Sequence, residues 1–259
     1  MRREMYNSLQ LREIFHLEFL RWLSRTAKVK SYAVKGGVNL RFFFNSFRYS
    51  EDMDLDIQDI GIETLKDIVM KILNTPTFQS TLKPFGIQEV VPPDISRAKQ
   101  TQTTQRFKVH LITSAGEDLF TKVEFSRRGF KGNIVVQPVS DIILRAYKLP
   151  PLLIPHYDIQ SAVTQKIDAL ATRAAVQARD VFDLYLLSSQ YHPVKTKEIG
   201  LTETKLTKAY KNLFSINFEQ FRDTVISYLS TEDQPVYNSP PLWDEVKLKA
   251  ADFIDEVRR

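Results

Sequence analysis

"YAVKGGVNLRFFFNSFRYSEDMDLDI", residues 32–57, decides how this chain reads. It opens with the apolar run Tyr32-Ala33-Val34, passes Gly36-Gly37, and ends in Glu51-Asp52-Met53-Asp54-Leu55-Asp56-Ile57. The first run has the character of a short strand, and the glycines turn the chain into a helix over roughly 38–45. Met53–Ile57 alternates apolar and acidic residues, the pattern of a strand with one face on a core. Side chains two apart on a strand share a face, so Asp52, Asp54 and Asp56 point one way and Met53, Leu55 and Ile57 the other. Carboxylates on one face repel each other unless solvent or a cation intervenes, and Asp is a poor strand former.

The acidic run therefore has two readings. One is a solvated acidic edge strand. The other is a divalent-ion site, in which carboxylates two apart converge on one Mg²⁺ or bridge a pair of ions about 4 Å apart. Mg²⁺ keeps several waters and is usually completed by substrate phosphates, which points to a nucleotide. Asp-x-Asp alone does not decide, because aspartyl-phosphate phosphatases and metal-dependent glycosyltransferases also use it. In the phosphatases the pair ends an apolar strand, whereas here "FRYSE" precedes it. Gly36-Gly37 adds the specific element. Glycine lets backbone approach an anion closely, and amides at the next helix N-terminus can cradle phosphate.

Beyond this stretch, 43% hydrophobic and 26% charged residues are ordinary for a globular protein. No apolar run approaches the roughly 20 residues of a membrane helix, so no membrane association is expected. Met1-Arg2-Arg3-Glu4 has charge without an apolar stretch behind it, so a secretion signal is not expected there. Cysteine is absent, which excludes disulfides, thiolate catalysis and sulfur-bound zinc, and suits a cytoplasmic protein. The four histidines (His16, His110, His156, His192) show no ligand spacing, leaving carboxylates for metal work. The net charge of +5 fits a solvated basic surface or affinity for a polyanion.

Residues 8–27 read as an amphipathic helix, with Leu11, Ile14, Phe15, Phe19, Trp22 and Leu23 apolar and Arg12, Glu13 and Arg21 between them. A helix is expected over 62–73 and strands near 86–91, 105–113 and 119–126, with Pro92-Pro93 and Lys99–Thr104 as loop. Beyond Pro138 the pattern turns helical, at 140–148, 158–174, 179–189, 202–213, 217–229 and 241–257, with no clear strand. Pro150-Pro151 with Pro155 reads as a linker. The fold class is α+β, with a mixed-sheet N-terminal domain over 1–145 and a helical domain over 146–259.

"KGGVNLRFFFNSFRYSEDMDLDI", "TKVEFSRRG", "AVTQKIDALATR" and "ARDVFDLYLL" together resemble the AbiEii-type nucleotidyltransferase toxins of the DNA polymerase β-like superfamily. The resemblance covers roughly residues 30–190. It implies that Gly36 and Gly37 hold the triphosphate, that Asp52 and Asp54 bind metal, and that Glu124 is the third carboxylate. It also implies that Lys166 meets the nucleotide phosphates and that Asp180, in the motif with Asp183, supports it. Many relatives have Ser or Thr after the glycines where this chain has Val38, so backbone amides, Asn39 or Ser50 would take over. The implied cofactor is Mg²⁺, as a two-ion site, with an NTP as substrate. The implied acceptor is an RNA, the tRNA 3′ end above all, and the implied partner a cognate antitoxin. Modification of a protein hydroxyl, or a silent RNA- or antitoxin-binding module, stay open as alternatives.

Several of these residues also have plainer readings. Glu124 could pair with Lys122 on a surface, Lys166 could snorkel from a core stripe, and Arg179 could pair with Asp183. Arg127 and Arg128 could meet phosphate or RNA, Arg173 could assist Lys166, and Arg41 could reach a phosphate. Phe42, Phe43 and Phe44 read as core.

Overall fold

The computed structural model describes residues 6–96, 98–191 and 200–258; Met1–Glu4 and His192 lie outside them. The chain divides into two compact units, Met1–Phe43 with Tyr49–His156, and Phe44–Arg48 with Tyr157–Arg259.

The first unit begins with α1 (Ser8–Thr26), started by a reciprocal cap between Asn7 and Gln10. Then come β1 (Tyr32–Lys35), α2 (Gly36–Phe43), β2 (Met53–Ile57), α3 (Ile62–Asn74), α4 (Pro76–Leu82), β3 (Ile87–Val91), β4 (Thr104–Thr113), β5 (Asp118–Ser126), β6 (Ile134–Pro138), α5 (Asp141–Ala146) and β7 (Leu153–Tyr157). The strands form one mixed sheet in the order β3-β4-β5-β2-β1-β7-β6. β2 runs antiparallel to β1 and parallel to β5, so the acidic strand lies in the middle of the sheet. Met53, Leu55, Phe107, Val109, Val123 and Phe125 give one face of these strands to a core shared with Ile14, Phe15 and Phe19 of α1.

Helix α1 is buried more fully than its pattern suggests. Glu13, expected on a polar face, is buried and pairs with Arg41 at 2.6 Å, while the Tyr147 hydroxyl donates to Glu13 at 2.6 Å. Arg41 also lies 4.2 Å from the Tyr49 ring centre. Its cation is spent in the fold, so the phosphate role considered for it is not what its geometry serves.

The expected linker is also part of the fold. β7 occupies 153–157 and pairs in parallel with β1 through Val34 and His156. The Arg21 guanidinium donates to the carbonyls of Pro150 and Pro151 at 2.8 and 3.1 Å. Prolines that lack donors still offer carbonyls, and Arg21 uses them to hold the segment to α1. β6 and α4 are likewise elements that the local sequence pattern does not predict.

The second unit comprises α6 (Ile159–Thr172), α7 (Ala178–Ser188), α8 (Glu203–Leu213), α9 (Phe218–Thr224), α10 (Gln234–Tyr237) and α11 (Pro240–Arg258). Its core centres on Phe221 stacked on Trp243, with ring centres 4.2 Å apart, beside Phe182, Val246 and Leu206. The helix expected over 217–229 is instead α9 followed by a separate 3-10 turn over Ile226–Tyr228. No helix among the described residues is long and apolar enough to cross a membrane.

Candidate active site

The β1–α2 turn meets the acidic strand through Gly36. Its φ of +66° is left-handed, and a Cβ there would lie 3.4 Å from Asp54 Oδ2. The φ favours glycine, and the short distance puts the turn directly against Asp54. Val38 and Asn39 point into the core; Asn39 Oδ1 lies 2.9 Å from His156 Nδ1. Phe43 stacks on the same imidazole at 3.5 Å. Ser50 Oγ donates to the Asp52 carbonyl at 2.7 Å, which braces the entry to β2.

A second brace comes from α1 and β5. The Thr121 hydroxyl donates to the Glu51 carbonyl at 2.7 Å, so its oxygen accepts from His16 Nε2 at 2.8 Å. His16 is therefore the neutral Nε2–H tautomer, and burial with the nearby Arg12 charge lowers its pKa to about 3.

The carboxylates differ in what neutralises them. Asp56 is buried and paired with Lys35 at 2.5 Å. Asp52 pairs with Lys122 at 2.8 Å, and Glu124 with Arg106 at 2.7 Å. The considered Lys122–Glu124 pair is thus replaced by two cross-strand pairs. Asp54 and Glu124 are register partners on β2 and β5. Asp54 alone of the four makes no ion pair or hydrogen bond with a described residue. Burial raises its pKa, and the Glu124 and Asp52 carboxylates add to that against Lys35 and Lys122.

Among the described residues no three Asp, Glu or His side chains converge into a ready-made metal site. The donors present nonetheless fit a hard divalent cation. They are carboxylate oxygens on adjacent strands with charge left uncompensated at Asp54, and Mg²⁺ commonly takes one or two carboxylates plus waters and phosphate oxygens.

In the second unit, α6 and α7 assemble a buried charge ladder. Lys166 Nζ lies 2.9 Å from Asp180 and 2.5 Å from Asp183. Arg48 donates twice to Asp183, both at 3.0 Å, and Arg173 pairs with Asp180 at 2.5 Å. Both aspartates are fully buried. Lys166 is therefore not a snorkelling lysine, and Asp183 does not pair with Arg179 on a surface. Burial pushes the Asp183 pKa up, but Arg48 and Lys166 outweigh it and hold it low. Arg48 was missed in the sequence because it lies in a short loop distant in sequence from its partners. Arg127 serves the fold too, donating to Gln105 Oε1 at 2.9 Å and to the Ile60 carbonyl.

The profile of the family described as the nucleotidyl transferase AbiEii toxin, type IV toxin–antitoxin system, matches residues 18–243. No curated protein sequence matches. MenT4, a nucleotidyltransferase toxin of Mycobacterium tuberculosis, aligns over 97% of this chain and 87% of its own, at 17% identity and TM-score 0.65. JHP933 of Helicobacter pylori aligns over 98% and 94%, at 18% identity and TM-score 0.55. A further H. pylori structure, of a putative nucleotidyltransferase, aligns over 98% and 96%, at 17% identity and TM-score 0.57. At such identities the likenesses bear on the fold, which they share as an α+β nucleotidyltransferase architecture. Nucleotidyltransferases in general use an NTP and a divalent metal. The chain belongs to the AbiEii nucleotidyl transferase toxin family, and is a nucleotidyltransferase toxin with a nucleotide substrate and an antitoxin partner.

Proposed function

We propose that the protein transfers a nucleoside monophosphate from an NTP to a hydroxyl of an RNA acceptor, the tRNA 3′ end, in a Mg²⁺-dependent reaction that blocks translation. The observation that supports this most is the Asp54–Glu124 pair on neighbouring strands, set against the Gly36 turn, with Asp54 lacking a cation of its own. In the reaction the acceptor oxygen bonds to the α-phosphorus. The bond from that phosphorus to the bridging oxygen breaks, pyrophosphate leaves, and the hydroxyl proton passes to the Asp54–Glu124 carboxylates. Mg²⁺, held by Asp54 with Glu124 and Asp52, would neutralise charge developing on the phosphoryl oxygens.

The chain's own groups account for the rest of the chemistry. The first amides of α2 have no partner within the helix itself, and such amides suit phosphate oxygens. Ser50 fixes the backbone of Asp52, and the Asn39 side-chain oxygen faces His156 Nδ1. A bound cation would be held by Asp52 and Glu124 in competition with Lys122 and Arg106, which now pair with them. Lys166 is proposed to meet nucleotide phosphates, with Asp180 fixing its ammonium.

The test is incubation with total RNA, Mg²⁺ and each α-³²P-labelled NTP in turn, with Asp54→Ala as control. Label in tRNA-sized RNA from the unmutated protein alone is expected and would name the nucleotide. Label in protein and none in RNA would overturn the RNA acceptor.

A further inference from the structure

Across the open face of β4 and β5, side chains stand in register rows. Asp54, Glu124 and Arg106 make one row, Lys122 and Lys108 the next, and Phe120 and His110 a third. The opposite face of the same strands carries the core residues Phe107, Val109, Val123 and Phe125. Lys108 stands directly opposite Lys122, an arrangement that destabilises a ladder unless something neutralises it. Lys122 is relieved by Asp52, but Lys108 is exposed and makes no ion pair with a described residue. Lys99, also exposed, is in the same position.

Beside these residues lies a cavity of about 330 Å³ lined by Pro93, Asp94, Ala98, Lys99, Arg106 and Lys108. That volume is at the lower end of small-ligand sites and suits a nucleotide-sized group. Among the described residues that line it, Asp94 is the sole carboxylate. On the third row Phe120 is 55% exposed, with its ring centre 3.8 Å from that of His110. A large apolar ring held in solvent one row from Lys108, on a face that continues past Arg106 to Lys99, is a combination that binds single-stranded nucleic acid, the cations taking phosphates and the ring a base.

The strand order separates this face from the donor nucleotide. In the run β4-β5-β2-β1 the Gly36 turn flanks the acidic pair on the β1 side, and the lysines flank it on the β4 side. We propose that the β4–β5 face binds the acceptor as single-stranded RNA, with Lys99 and Lys108 on its phosphates and Phe120 stacked on one base. This rests on the reading that the acceptor is an RNA. It assigns the acceptor side of the site, which the carboxylates and the glycine turn leave undefined.

The experiment is fluorescence anisotropy of a labelled single-stranded RNA oligonucleotide against the full-length protein over a series of salt concentrations, without NTP. For Lys99→Ala/Lys108→Ala the expected result is at least a tenfold loss of affinity. The slope of log affinity against log salt should become shallower by about 1.4, or about 0.7 for each lysine removed. Phe120→Leu should weaken binding about fivefold or more while Phe120→Tyr keeps it, because only an aromatic ring stacks. Binding of α-labelled NTP should be unchanged in all of these. The replaced side chains are exposed, and an unchanged thermal melt checks that each variant folds. Unaltered RNA affinity and slope in the lysine variant, while the unmutated protein still labels RNA, would overturn this inference alone. A loss of NTP binding instead of RNA binding would overturn it too, by assigning the lysines to the donor. Failure of the unmutated protein to bind or label RNA would overturn the RNA acceptor itself, and this inference with it.

Discussion

Asp54 and Glu124 stand in register on parallel strands β2 and β5, yet Glu124 has Arg106 for a counterion and Asp54 has none among the described residues. The sheet thus holds one carboxylate in a state that a cation would relieve. Burial and the neighbouring acids raise the Asp54 pKa, so its charge is less stable in the folded chain than in the unfolded one. The stability linked to this group is present at low pH and is lost as pH rises from the unfolded value of about 3.9 through the raised folded value.

Asp54→Asn is therefore expected to raise the melting temperature at neutral pH while reducing nucleotidyl transfer by about a thousandfold or more. Mg²⁺ should stabilise the unmutated protein and have little effect on the variant, because a ligand stabilises only the state that binds it. Thermal melts with and without Mg²⁺, beside a transfer assay, check both halves. A variant that loses stability and keeps activity would remove Asp54 from the site.

Gly36→Ala should cost stability of about 1–2 kcal/mol, since φ is +66° and the new methyl would stand in contact with Asp54. If the turn holds phosphate, KM for the NTP should rise several-fold. Chemical denaturation and NTP titration of the same preparation separate the two effects.

The charge ladder of the second unit predicts an asymmetry between two variants. Arg48→Met leaves buried Asp183 with Lys166 alone, and should destabilise by about 3–5 kcal/mol. Lys166→Met leaves Arg48 on Asp183 and Arg173 on Asp180, so it should be the milder change. A large loss of NTP affinity in Lys166→Met with a modest shift in denaturation midpoint would fit a phosphate ligand. Equal loss of stability in both variants would make Lys166 structural. The Asp183 pKa is lowered on folding, so the ladder's contribution is present above about pH 3.9 and is lost as pH falls through the folded value.

His16 gives a pH prediction of its own. Its pKa falls to about 3 in the folded chain, so between pH 6.5 and 3 the unfolded chain binds a proton that the folded one does not. Stability from this group is full above about 6.5 and falls with acid by about 1.4 kcal/mol per unit. His16→Gln keeps a donor for Thr121 and should remove that component. Denaturation midpoints of the two proteins should converge toward low pH; parallel curves would place the proton elsewhere.

Local pattern made much of this protein legible. Alternation over Met53–Ile57, helical spacing over Ser8–Thr26 and the glycines at the strand–helix turn each report neighbours a few residues apart. The sequence alone was therefore enough for most strands and helices and for placing the acidic run beside a glycine turn. Its four ordered motifs carried the family.

Pairing between distant residues was decided by tertiary structure alone. Arg48 and Asp183, Arg21 and the Pro150-Pro151 carbonyls, and Glu13 and Arg41 are partners that no spacing reveals. Each cation looks like an ordinary surface residue until the fold takes its carboxylate or carbonyl partner out of water, where an unpaired group would be costly. The sheet register decided the site in the same way. It placed Glu124 beside Asp54, buried Asp56 against Lys35, and set Lys108 opposite Lys122, whose acid partner is Asp52. Which carboxylate lacks a counterion, and which lysines lack a partner, follows from strand order, and strand order is a non-local property of the chain.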